Sequence, residues 1–307
     1  MLQIILITAL ILEFSVYVFL GFKCWDSPLS LLYIVPLVLS IMVVVRMLMT
    51  LPSYGVAGIL RSRDKNQQPW GDSLLALAKE VDARAMAFSL SQPFHQWLMP
   101  EVAGNKHATS DATPVLLVHG YASNRGMFMR LRSRLIAART GPIYTLNLVL
   151  LFNSIDETVP LLAARIEQIC AETKSEQIII VAHSMGGLVT RRLMANMGHA
   201  GRIKRLITIG SPHHGSQMAA FSAGKCVKQI RPGSSWLTAL ELAEVGIEKP
   251  PTLSIYTLND DLVYPPESSV LDWKNSENVP MAGVGHVSLL ASKAVAERVS
   301  VEIRKAS

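Results

Sequence analysis

The sequence predicts an α/β protein: a compact, mostly parallel sheet of about six strands with helices on both faces, preceded by two transmembrane helices. Three observations carry this. From Pro114 onward short apolar runs rich in β-branched residues alternate with helical periodicity. In Ile178–Leu193, IIIVAHSMGGLVTRRL, a buried-strand run ends at Ser184 and turns helical, with Leu188, Val189, Leu193 and Met194 recurring at helical spacing. Ahead of these lie two long apolar segments, Leu2–Phe22 and Leu29–Met49.

Half of the 307 residues are hydrophobic and the formal net charge is +6. The first apolar segment is interrupted by Glu13, whose central acid costs roughly 3 kcal/mol on insertion scales. The surrounding Leu, Ile, Val and Phe residues return roughly 0.3–0.6 kcal/mol each, so insertion survives it. No Lys or Arg precedes the run and no small-x-small cleavage site follows it, which argues against a cleaved signal peptide. Lys23–Pro28 is short enough to join the segments as a helical hairpin. Arg46, Arg61, Arg63 and Lys65 follow the second segment and favour the cytoplasmic side for the rest of the chain. The expected organisation is a two-helix anchor (1–50), an amphipathic linker (51–111) and a globular domain (112–307).

In the linker, Leu74, Leu75, Leu77, Ala78, Val81 and Met86 predict an amphipathic helix over Asp72–Leu90, and Pro93–Asp111 reads as irregular. Beyond it the expected strands are Val115–Val118, Ile143–Leu148, Ile178–Ala182, Arg205–Ile209, Leu253–Leu258 and Val279–Ala282. The expected helices are Arg125–Arg139, Ile155–Glu172, Ser184–Met197 and Ser288–Arg304, with Asp156 and Glu157 suited to a first turn. No early antiparallel strands are evident. Ser216–Pro251 is long for a connection, with Met218, Phe221, Val227, Ile230, Trp236 and Leu237 among basic residues; it reads as a cap or lid (216–251) or as a plain packed excursion.

A serine hydroxyl needs a neighbouring base to become a nucleophile. The strand Leu253–Leu258 ends in Asn259-Asp260-Asp261-Leu262-Val263-Tyr264-Pro265, and Gly285-His286-Val287 follows the last strand, so an acid and a histidine follow Ser184 in order. Ala182, Gly186 and Gly187 keep the strand-to-helix turn small. His213 and His214 adjoin each other with no third ligand evident, which disfavours a metal. No cofactor is expected: there is no Gly-rich phosphate loop, and nothing resembles a nucleic-acid module. Cys24, Cys170 and Cys226 form no spacing pattern.

Five motifs in order, HGYASNRGMF (His119–Phe128), AHSMGG around Ser184, SPHHGS (Ser211–Ser216), NDDLVYP (Asn259–Pro265) and GVGHVSLL (Gly283–Leu290), resemble bacterial lipases and esterases of the α/β-hydrolase superfamily. The resemblance covers nearly all of Pro114–Ser307, with Ala182 where the first Gly of G-x-S-x-G is commonest. It implies Ser184 as nucleophile, His286 as base and Asp260 as the acid that orients it, with Asp261 an exposed neighbour or loop hydrogen-bonder. It also implies an oxyanion hole from the N–H groups of Tyr121 and Met185, a loop-fixing role for His119 and a structural one for His183.

The expected function is carboxylic ester hydrolysis, on acyl lipids given the anchor, through an acyl-enzyme. An acyltransferase using the same intermediate and a non-catalytic membrane scaffold are the alternatives. Five Arg without an acidic residue in 112–152, and six basic residues without one in 201–232, suggest a basic face toward anionic lipid or a merely solvated one. The expected location is a bacterial inner membrane, with the domain on its cytoplasmic side.

Overall fold

The computed structural model describes residues 1–24, 30–62, 69–103, 112–148 and 152–307. The turn between the apolar segments, Arg63, Lys65 and residues 104–111 lie outside the described residues. The chain opens with two helices, α1 (Leu2–Cys24) and α2 (Ser30–Arg61), each long and apolar enough to cross a membrane. Glu13 of α1 is paired with Arg46 of α2 at 2.5 Å, so the acid that interrupts the first segment has its counter-charge on its neighbour. α2 continues well past Met49, where the apolar pattern ends. Its last turns leave the apolar segment to pack Ala57 against Met218 and Tyr264.

Two further helices precede the sheet: α3 (Trp70–Met86), extended by a π-helical turn at Ala87–Ser91, and the short α4 (His95–Leu98). The face that α3 buries is not the one its leucines predict. Ala76, Glu80, Ala83 and Ala87 are buried, whereas Leu74 and Leu75 are 65% and 48% exposed. Small residues let α3 lie close to the domain, which outweighs the larger apolar surface on its other side.

Among the described residues the sheet has seven strands, in the order β1-β3-β2-β4-β5-β6-β7. They are β1 (Val102–Ala103), β2 (Val115–Val118), β3 (Ile143–Thr145), β4 (Ile178–His183), β5 (Ile203–Ile209), β6 (Thr252–Thr257) and β7 (Ser276–Met281). All neighbours pair parallel except β1 with β3. One early antiparallel strand is therefore present after all; two residues are too few for periodicity to reveal. β3 is shorter than Ile143–Leu148 because the chain leaves the ladder after Thr145 and Leu148 N donates instead to His119 Nε2 at 2.8 Å.

The remaining helices are α5 (Met129–Ala137), α6 (Val159–Thr173), α7 (Met185–Met197), α8 (Lys225–Gln229), α9 (Ser235–Ala243) and α10 (Lys293–Ala306). The expected helix from Arg125 opens as a 3-10 turn, because the Asn124 side chain accepts from Gly126 N. Alternate residues of the strands build two cores. Leu116, Val118, Ile180 and Ala182 pack under α6, α7 and the 216–251 insert; Val115, Leu117, Ile179 and Val181 pack under α3, α5 and α10. Each buried Leu or Ile contributes roughly 1.5–3 kcal/mol, and the central strands are buried on both faces, as a parallel sheet requires.

From β2 the chain moves outward to β3, then crosses back over β2 to β4. The carboxyl ends of β2 and β4 therefore flank the crevice where connections depart in opposite directions, the place a ligand occupies in such sheets.

Candidate active site

Ser184 stands at the end of β4 with φ 55° and ψ −129°, a positive φ that a non-glycine residue holds only when its surroundings enforce it. The enforcement is close packing. A Cβ on Gly186 would stand 2.5 Å from Val118 O and 2.8 Å from His119 O, and one on Gly120 would stand 2.8 Å from Ser184 Cβ. The end of β2 and the first turn of α7 are thus in backbone contact, which brings Tyr121 and Met185 to the same cavity as Ser184. Ala182 is accommodated within β4, opposite Val118 and Thr208.

His286 lies on the loop after β7, fully buried, with its ring against Gly210, the positive-φ residue that follows β5. Its Nδ1 is 2.9 Å from Asp260 Oδ2. Asp260 Oδ1 accepts from the N–H groups of Leu262 and Val263 at 2.8 and 2.7 Å, so both carboxylate oxygens are occupied and the carboxylate is fixed. Burial lowers the pKa of His286, but the charge and hydrogen bond of Asp260, with the charges of Glu80 and Asp261, outweigh it and leave the pKa raised.

Asp261 is fully buried, in contrast to the exposed alternative, and is bonded to Arg84 Nη2 at 2.6 Å and to Ser53 Oγ. Burial pushes its pKa up to about 6 against the pull of Arg84. His183 is buried and neutral, chiefly through desolvation; its Nε2 lies 3.3 Å from the carbonyl of His286, and the two rings sit 4.8 Å apart. His119 donates from Nδ1 to Gly120 O and accepts from Leu148 N, and burial holds its pKa down to about 4. His213 is buried against Thr208 Oγ1, while His214 turns outward to Val270 O. The adjacent pair does not converge.

Ser184 and His286 share a cavity of about 260 Å³. Its wall is largely apolar: Phe88, Met127, Met218, Val227, Ile230 and Leu262 contribute. Three of these, Met218, Val227 and Ile230, come from the 216–251 insert. The insert is packed rather than loose, with Cys226, Val227, Leu237 and Leu240 buried in the core and Glu244 paired to Arg191 at 2.6 Å, although Phe221 is 68% exposed.

Sequence reasoning missed Ser53, Glu80 and Arg84. Arg84 lines the cavity, but its guanidinium is taken up by Glu80, Ser53 and Asp261. Glu80, 0% exposed, accepts from Val287 N and Ser288 N at 3.0 and 2.8 Å. The available signal was an acid on the Ala76-Ala83-Ala87 stripe of the helix.

Residues 151–280, which include Ser184 and Asp260, match the PGAP1-like alpha/beta domain. The structure is similar to Aspergillus fumigatus lipase B, at TM-score 0.56 and 19% identity over 64% of this chain and 55% of that one. It is also similar to Bacillus licheniformis lipase BlEst2 in its mature form, at TM-score 0.55 and 14% identity over 62% of this chain and 92% of that one. The fold is that of the α/β-hydrolases. This chain spans about half the length of the Aspergillus lipase. Among the described residues, one antiparallel strand stands ahead of the parallel sheet of this fold, and α1 and α2 stand ahead of that.

Proposed function

We propose that this chain is a membrane-anchored serine hydrolase that cleaves carboxylic esters with apolar acyl chains. The observation that carries the reading is the Asp260–His286 hydrogen bond of 2.9 Å beside Ser184, opening on one apolar cavity. With Asp260 holding Nδ1 protonated, Nε2 of His286 is left as the base, takes the proton of Ser184 Oγ as it attacks the ester carbonyl, and returns it to the leaving alcohol. The Ser184 Oγ–acyl bond forms as the ester C–O bond breaks. Water then repeats the sequence in reverse and releases the acid. Negative charge on the carbonyl oxygen is met by the N–H groups of Tyr121 and Met185, two residues that line the cavity with Ser184.

The acyl chain lies along Met218, Val227 and Ile230, so the insert acts as a cap for the chain. Two apolar helices ahead of the domain favour a membrane-borne ester, an acyl lipid, as substrate. We adopt the cytoplasmic orientation on the positive-inside rule; reporter fusions at the C-terminus read it directly.

The deciding experiment is fluorophosphonate labelling of the full chain in detergent, beside Ser184→Ala. Labelling confined to the wild type, at Ser184, is expected. Equal labelling of Ser184→Ala would refute the nucleophile.

A further inference from the structure

The loops that carry Asp260 and His286 are not held by the sheet alone. Three side chains of α3 reach the His286 loop or its neighbour: Lys79 Nζ donates to Gly283 O at 2.9 Å, Glu80 accepts from Val287 N and Ser288 N, and Arg84 bonds Asp261. Two side chains of α2 reach the acid loop: Ser53 donates to Asp261, and Arg61 Nη2 donates to Asp260 O at 3.3 Å. Gly285 precedes His286 where a Cβ would run into Glu80 Oε2 and the Tyr54 hydroxyl. That glycine is therefore required by the helices rather than by the turn.

We propose that Glu80 is the positioning residue of the His286 loop, and that α2 and α3, through Ser53, Glu80 and Arg84, hold the two loops bearing the proposed acid and base. The proposal rests on the assignment of Asp260 and His286 to the reaction. The carboxylate of Glu80 is suited to this task because it is ionic, buried and doubly used. Its Oε1 takes Val287 N and Arg84 Nε, and its Oε2 takes Ser288 N. Two consecutive N–H groups directed at one carboxylate fix the backbone just after His286, and so fix where the imidazole stands relative to Ser184. Glu80 also acts on the ring through its charge. The groups facing His286 are Asp260 at Nδ1, Glu80 and Asp261 behind the loop, Arg84 between those two acids, and the neutral ring of His183 from β4. Removing one of the three negative charges lowers the proton affinity of the imidazole.

The test uses the full chain in detergent, with Glu80→Gln as an isosteric, uncharged variant. The expected result is fluorophosphonate labelling slowed by about tenfold or more. Ester hydrolysis should lose kcat while KM changes little, and the acid limb of kcat/KM should move to lower pH. Deuterium uptake should rise over residues 283–290. A purely structural contact would slow the reaction without moving the limb. Labelling within twofold of wild type, together with an unmoved limb, would overturn the proposal while leaving the hydrolase reading intact. A wild-type chain as unreactive as Ser184→Ala would bring down the hydrolase reading and the positioning role with it. If Glu80→Gln does not fold, Ser53→Ala removes the hydrogen bonds to Asp261 and from Arg84, and Lys79→Met removes the one to Gly283 O. Slower labelling in either supports the proposal, and wild-type rates in both overturn it.

Discussion

Asp260 and Asp261 are adjacent in the chain yet close on different partners: Asp260 on His286 Nδ1 at 2.9 Å, Asp261 on Arg84 Nη2 at 2.6 Å. Asp260→Asn should therefore be the more damaging change. Because Oδ1 is committed to the N–H groups of Leu262 and Val263, an asparagine there turns its NH₂ toward His286 and selects the wrong tautomer. A fall in kcat of about 10³–10⁴ is expected, by analogy with the loss of the equivalent acid in serine proteases. Asp261→Asn should cost at least about tenfold less than that. Steady-state hydrolysis of p-nitrophenyl esters ranks them, and the reverse order would move the acid to Asp261.

The pH dependence of kcat/KM follows from the sign of the His286 shift. As the proposed base, His286 works only when neutral; burial lowers its pKa, but Asp260, Glu80 and Asp261 outweigh that and raise it above the ordinary 6.5. Activity should be full on the alkaline side and decline as pH falls through that raised value, placing the acid limb above 6.5. A limb below 6.5 would show that burial wins over the three carboxylates.

Gly186→Ala should damage the site without touching a reacting group. The added methyl meets two backbone oxygens, Val118 O at 2.5 Å and His119 O at 2.8 Å, and neither can swing aside. The end of β2 must separate from the elbow, at a cost of roughly 1–3 kcal/mol in stability. That movement also shifts Tyr121, one of the two proposed oxyanion donors, away from the elbow, so kcat should fall by more than KM rises. Thermal unfolding and ester kinetics on one preparation measure both.

Val227→Trp should shorten the preferred acyl chain. Val227 lines the cavity from the insert, next to Met218 and Ile230, and is itself only 2% exposed. Filling that wall removes room for several methylenes, each worth roughly 1–3 kcal/mol of discrimination. The ratio of kcat/KM for long over short p-nitrophenyl esters should drop by about tenfold or more. An unchanged ratio would place the acyl chain elsewhere.

Much of this architecture was legible in the chain because its signals are local. Ile178–His183 and the glycines after Ser184 announce a buried strand and a tight elbow, since both depend on side-chain size within a few residues. The order of Ser184, Asp260 and His286 along the chain suggested a common site; Ser184 directly follows β4, and Asp260 and His286, hydrogen-bonded to each other, lie on the loops after β6 and β7. What the sequence hid is long-range. Arg46 as the partner of Glu13 lies 33 residues away, and Glu80 reaches Val287 across 207. The buried face of α3 was misread because burial there is decided by how closely the helix approaches the domain, which favours alanine over leucine. The two-residue β1 exists through pairing with β3 and has no periodicity of its own.

α2 runs without a break from the apolar stretch to Arg61, and its last turns are in contact with the loop that carries Asp260 and Asp261. The seam between the two apolar helices and the domain that carries the proposed site therefore does not fall where the parallel sheet begins. A soluble fragment started at residue 112 discards Ser53, Glu80 and Arg84 together, leaving Asp261 buried without its cation and the N–H groups of Val287 and Ser288 without an acceptor. Moving this domain to another setting has to carry the chain from about Thr50 onward, and cutting at the start of the parallel sheet leaves the loops of Asp260 and His286 without the side chains that brace them.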